Sequence, residues 1–185
     1  RSEIESLLTD ARAMEENAEM TAQEALARAA LTRVLSAIDS GGAFDAALGD
    51  LEAVTGTQAP EELASVAQTG VTPMIQLQDA FPDAAREALS AARLAEPDSE
   101  HNLRSFLQRQ LSARSVTPKE GADPDAVLSR AEAALKEGRL NDALAEIETL
   151  PPEASAAMDA WVTRARARRD AQDAAESLAQ SLNSK

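Results

Sequence analysis

The chain contains no cysteine and no tyrosine, and its 185 residues include one tryptophan and one histidine. The absence of cysteine excludes disulfides, thiolate zinc sites and cysteine nucleophiles. Aromatic residues make up 2% of the sequence although 44% of it is hydrophobic, so the apolar side chains are mainly those of Ala and Leu. Because this balance favours helix over strand, we predict an all-α protein.

Basic residues are scarce beside acidic ones. The 18 Lys and Arg against 32 Asp and Glu give a formal net charge of -14, which argues against nucleic acid as a partner because a phosphate backbone needs a basic surface. The sequence has no run of about 18 apolar residues and no signal-peptide pattern. It opens at Arg1 already in a helical pattern, and we interpret it as a fragment or a processed product.

Residue patterns that carry chemistry are also few. His101 follows Glu100, and a lone histidine is more often a surface or capping residue than a catalytic one. The carboxylates form no evident acid–base pair, and no glycine-rich phosphate loop occurs. We therefore predict no enzymatic activity, no metal and no cofactor.

Residues 114–169 predict a short helical hairpin followed by a long helix. Asp123-Pro124 is a helix start, because Asp can cap free N–H groups and Pro suits the first turn. Two apolar stripes follow, the first ending near Gly138 and the second at Pro151-Pro152. Since only two residues separate these helices, we expect them to pair antiparallel. We expect Trp161, on the third helix, to face the hairpin.

The segment LKEGRLNDALAEIETLPPEASAAMDAWVTRARAR combines a helix ending at Gly138, the pair Ala143-Leu144, Leu150 before a polar loop, and Trp161 followed by Arg166. In this order it resembles the C-terminal signature of the mitofilin family, the core component of the contact-site and cristae-organising system. The similarity extends upstream to Gly41, Gly42, Phe44, Leu48 and Leu51 and to GVTPMIQLQDAFPDAAR, and so covers most of the chain. Each motif is weak alone, and the specificity lies in their order.

The resemblance implies a membrane-shaping scaffold of the bacterial inner membrane that faces the periplasm. It implies that an N-terminal anchor and most of a coiled coil are missing from this sequence. It also implies self-association and a lipid-binding helical segment ahead of the hairpin. On this basis residues 1–20 are interpreted as a coiled-coil tail, 21–114 as a helical region with lipid-binding helices, and 115–185 as the mitofilin-signature hairpin and C-terminal helix.

The N-terminal stripe has three- and four-residue spacing, which is typical of a coiled-coil seam; its members are Ile4, Leu7, Ala11, Met14 and Ala18. Packing of the same helix on its own domain is the alternative, because few heptads are visible. The stripe near the C-terminus at Ala174, Ala175, Leu178 and Leu182 is too thin for a stable lone helix, and indicates packing against another element or a second subunit.

Two further helices, from Pro82 to Ala95 and from Ser99 to Arg114, have apolar faces with basic edges, and no acid lies between His101 and Lys119. Such helices can lie on an anionic membrane surface. The predicted lipid contacts are Phe81, Arg86, Leu89, Arg93, Leu103, Arg104, Phe106, Leu107, Arg109 and Leu111. Equally, an apolar stripe is the normal signature of a helix packed on a core.

A basic cluster on the last helix gives the predicted partner contacts, which are Trp161, Arg164, Arg166, Arg168 and Arg169. The alternative is a solvated helix face with intrahelical ion pairs. For the whole chain the main alternative function is a helical protein–protein adaptor without lipid binding. The hairpin has tetratricopeptide-like features, but only one such unit is visible where about three are needed.

Overall fold

A computed structural model describes residues 2–95, 121 and 123–184 of the chain. Within these residues it contains helices and no strand, so the predicted all-α fold is confirmed. The helices are α1 (Ser2–Ser40), α2 (Asp45–Thr55), α3 (Glu61–Ala64), α4 (Met74–Ala95), α5 (Pro124–Lys136), α6 (Leu140–Ile147), α7 (Pro152–Ala157) and α8 (Asp159–Asn183).

The chain forms two compact units that differ from the three segments predicted along the sequence. Unit 1 comprises Arg1–Val71 and Asp170–Lys185, and unit 2 comprises Thr72–Arg169. The predicted boundary after residue 20 falls inside α1, which is one continuous helix. Helix α8 contributes its first part to unit 2 and its second part to unit 1.

Unit 1 is built on the C-terminal third of α1. Val34 and Ile38 of this helix are buried together with Phe44, Leu63 and Ala171, which come from the other parts of the unit. By contrast, every side chain of α1 from residue 3 to residue 26 is exposed. Burial therefore begins at Ala27, the first residue of α1 whose side chain belongs to the core of unit 1.

Unit 2 contains the predicted hairpin. The Asp123 carboxylate accepts hydrogen bonds of 3.1 Å from the backbone N–H groups of Asp125 and Ala126, and Pro124 occupies the first turn of α5. Helix α5 ends at Lys136, Gly138 lies in the turn that follows, at φ +77°, and α6 begins two residues later. The helix start, the glycine stop and the antiparallel pairing are confirmed.

Helix α4 corrects one prediction. It runs from Met74 to Ala95 with Pro82 inside it, so a helix start at Pro82 is wrong. A proline within a helix removes one hydrogen bond and costs about 3 kcal/mol. Burial of Leu77, Phe81 and Ala88 along one face of α4 offsets that cost, while Pro82 itself is exposed. Across the described ranges, no helix has the length and apolarity to cross a bilayer.

Candidate membrane and partner surfaces

Phe81 lies in the core of unit 2. Its side chain is 1% exposed, and its ring meets that of Trp161 edge to face, with centroids 5.2 Å apart and planes at 77°. Aromatic pairs favour this geometry because the positive ring edge meets the negative face. A side chain enclosed in this way cannot enter a lipid interface, so the prediction of lipid contact at Phe81 is wrong for this conformation.

Trp161 is equally buried, at 1% exposure. Its indole Nε1–H donates a 3.0 Å hydrogen bond to the backbone carbonyl of Leu77. Trp161 therefore joins α8 to α4, and the prediction that it contacts a partner is corrected to a core role. Its expected position against the hairpin is confirmed, because the same core contains Leu135 and Leu144.

The other predicted lipid contacts on α4 differ in their exposure. Leu89 is half-buried against the core of unit 2. Arg86 is exposed and pairs with Asp83, and Arg93 is exposed in the last turn. The remaining predicted lipid contacts lie outside the described residues; they are Leu103, Arg104, Phe106, Leu107, Arg109 and Leu111. His101 lies in the same stretch.

The basic cluster on α8 does not form one face. Arg164 is exposed, and Arg166 pairs with Glu148 at 2.9 Å. Arg168 is 4% exposed and Arg169 is half-buried, and both interact with other groups of the fold. The prediction of a single partner surface made of all four arginines is therefore wrong, since only Arg164 and Arg166 among them are exposed.

The hairpin is joined by an ion pair that the sequence did not reveal. Arg130 Nη2 of α5 lies 2.7 Å from Glu146 Oε2 of α6, and its Nε lies 3.0 Å from both carboxylate oxygens. The hydrogen bond to Glu146 raises the pKa of the Arg130 guanidinium above its ordinary value. Arg130 Nη1 also donates to the Gly121 carbonyl at 2.8 Å. Both residues flank the apolar stripes, which is the only signal that sequence offers for such a pair.

The N-terminal part of α1 carries an exposed apolar seam. Ile4 and Leu7 are each 64% exposed and Met14 is 72% exposed, and Ala11 and Ala18 lie between and beyond them on the same side at heptad spacing. Large apolar side chains are rarely left in solvent in a regular row. The periodicity of this seam matches the contact face of a two-helix coiled coil.

No group of three or more metal-ligating side chains occurs in the ranges that the structure describes. Comparison of the chain with protein-family models, curated proteins and solved structures finds no match. The resemblance to mitofilins is untested by these comparisons and stays a prediction. The surfaces of the chain itself are thus the basis for inferring its function.

Proposed function

We propose that the chain is a non-enzymatic helical scaffold that associates with copies of itself and shapes a membrane. The observation that carries the proposal is the exposed seam of α1, with Leu7 and Met14 at its centre. The side chains of α1 are exposed along residues 3–26, so packing on the rest of unit 1 stabilises this part of the helix little, and lone helices are marginal in water. Pairing with the same helix of a second copy buries the seam.

The membrane part of the proposal rests on residues 103–111. Their sequence, LRSFLQRQL, has basic and apolar residues and no acid, and is typical of an interfacial helix. Several linked copies bind a membrane more tightly than one copy does, because each contact after the first is intramolecular. The resemblance to mitofilins supports a location on the periplasmic side of the bacterial inner membrane.

Co-sedimentation with anionic liposomes tests this proposal. The parent chain is compared with a Phe106→Asp, Leu107→Asp variant and with a matched Met20→Asp, Leu26→Asp control. Met20 and Leu26 are 55% and 58% exposed and lie off the seam, so the control adds the same two charges elsewhere. We expect the parent and the control to sediment with the liposomes and the Phe106, Leu107 variant to stay in the supernatant.

Absence of the parent from the pellet at both low and physiological salt would instead favour a protein–protein adaptor. One observation favours this second candidate: Phe81, predicted to contact lipid, packs in the core of unit 2. An adaptor would keep the seam of α1 and the exposed arginines of α8 for protein contacts and would not need residues 103–111 to bind lipid.

A further inference from the structure

Unit 1 carries most of the negative charge of the chain. It contains sixteen acidic and five basic residues, for a formal charge of -11, whereas unit 2 has sixteen acidic and thirteen basic residues, for a charge of -3. A field of one sign raises the local concentration of ligands of the opposite sign and speeds their association. Electrostatic attraction by unit 1 therefore favours a cationic ligand.

A groove of about 640 Å³ opens on unit 1 between the start of α3 and the second part of α8. Its apolar lining comes from Pro60, Ala174 and Leu178, which are all half-buried. Ligand-binding clefts in proteins span roughly 300–1,000 Å³. The groove is open to solvent, and its volume suits a few residues of an extended peptide.

Carboxylates stand on both sides of the groove. Glu62 lies on the α3 side, and Asp173 on the α8 side; both side chains are exposed. Among the described ion pairs, neither of these two carboxylates has a cationic partner. Asp170, also in the lining, already interacts within the fold and is not needed here. A lining that combines apolar side chains with two accessible carboxylates is complementary to a peptide segment that combines an aliphatic side chain with cations.

We propose that this groove binds a short basic segment of another protein, in which an aliphatic side chain sits between Arg or Lys residues. The aliphatic side chain packs on Ala174 and Leu178, and the cationic side chains pair with Glu62 and Asp173. The chemistry disfavours the other occupants of such a groove. A lipid phosphate would be repelled by the carboxylates, and no three described side chains converge as metal ligands. The residues named for this site differ from those of the seam and from residues 103–111.

Fluorescence anisotropy with a labelled GKRALLRKG peptide tests the groove, with a GEEALLEEG peptide as the reversed-charge probe. The parent is compared with Glu62→Gln, Asp173→Asn and with a Glu16→Gln, Glu19→Gln control. Glu16 and Glu19 are exposed on α1 in the same unit, so both variants change its charge equally. We expect the groove variant to weaken binding by roughly five- to tenfold and the control to leave it nearly unchanged.

Amide chemical shifts provide the second readout. Addition of the basic peptide is expected to move the resonances of Glu62, Asp173 and Ser177, and the reversed-charge peptide is expected to move none of them. Lack of binding by the parent at low salt overturns the proposal. So does an equal loss in both variants, because that result shows attraction to the overall charge. Neither result bears on liposome sedimentation, which the residues of this groove do not enter.

Discussion

The indole N–H of Trp161 and the backbone carbonyl of Leu77, 84 positions apart in the sequence, form a 3.0 Å hydrogen bond inside the core of unit 2. Both side chains are almost fully buried. A buried polar group that loses its partner costs more than the bond itself contributes, because no water replaces it. This contact fixes α8 against α4 at one defined point.

Replacement of Trp161 by Phe is expected to lower the free energy of unfolding by about 1–3 kcal/mol from the lost hydrogen bond, with a further loss from the smaller ring. Urea denaturation followed by circular dichroism measures the change, since the variant has no tryptophan to report by fluorescence. Thr163→Ala, an exposed change on the same helix, is the control and should lie close to the parent. Equal stability of all three proteins would show that Trp161 does not stabilise the core of unit 2.

Gly70 lies in close contact with the backbone of a distant segment of the chain. It adopts φ +71°, and a Cβ built on it would lie 2.5 Å from the Gly41 carbonyl oxygen and 2.6 Å from that of Gly42. The opposing atoms belong to the backbone, so they cannot move aside as a flexible side chain would. The hydrogen bond of 2.7 Å from Phe44 N–H to the Ala67 carbonyl holds the two segments together.

Gly56 provides a matched comparison, because it also has a left-handed φ, of +67°, but nothing lies within 4 Å of its Cβ position. Gly56→Ala should cost roughly 1–2 kcal/mol from conformation alone. Gly70→Ala should cost clearly more, because the close approach adds to the same conformational cost. Thermal unfolding of both variants measures the difference, and equal shifts in Tm would mean that the backbone at Gly41 yields without cost.

The Arg130–Glu146 pair is expected to depend on the forked shape of the Arg130 guanidinium as well as on its charge. Arg130→Lys keeps the positive charge but loses the fork that contacts both Glu146 carboxylate oxygens and the Gly121 carbonyl. We expect a lower Tm than in the parent. The exposed pair between Lys136 and Glu132 supplies the control, because Lys136→Ala should shift Tm less. A larger loss at Lys136 would show that the hairpin does not depend on the Arg130 fork.

The sequence predicted the local structure of this chain better than its surfaces. Asp123, Gly138 and Pro151-Pro152 act within a few residues of themselves, so their effect on helix ends can be inferred from sequence. The side on which an apolar stripe is buried depends on distant partners. Phe81 lies beside a basic-edged stripe, which is compatible with lipid or core, and only the position of Trp161 decides between them.

The division into two units also depends on contacts between segments that are distant in the sequence. Sequence order suggests consecutive segments, but the second part of α8 belongs with α1, α2 and α3 in unit 1. The alanines that make this possible, Ala171 and Ala175, are fully buried, yet in the sequence they look like any thin helical stripe. The groove beside α3 follows from this arrangement and has no sequence signature of its own.

The charges beside the seam of α1 predict how self-association depends on salt. In a heptad register with Ile4 at position a, Asp10 falls at g and Glu15 at e, and these positions face each other across a parallel pair. Because both residues are acidic, their repulsion opposes the burial of Leu7 and Met14. We therefore expect self-association of the parent to strengthen as added salt screens the repulsion.

Asp10→Lys should reverse that dependence. The new cation faces Glu15 of the second copy, so association should become tighter at low salt and weaken as salt is added. Glu16→Lys makes the same charge change at position f, away from the partner helix, and should keep the salt dependence of the parent. Sedimentation equilibrium across a salt series distinguishes these cases. If the salt dependence of Asp10→Lys equals that of Glu16→Lys, only the net charge matters and α1 does not pair in this register. If a Leu7→Asp, Met14→Asp variant still associates, the seam is not the interface.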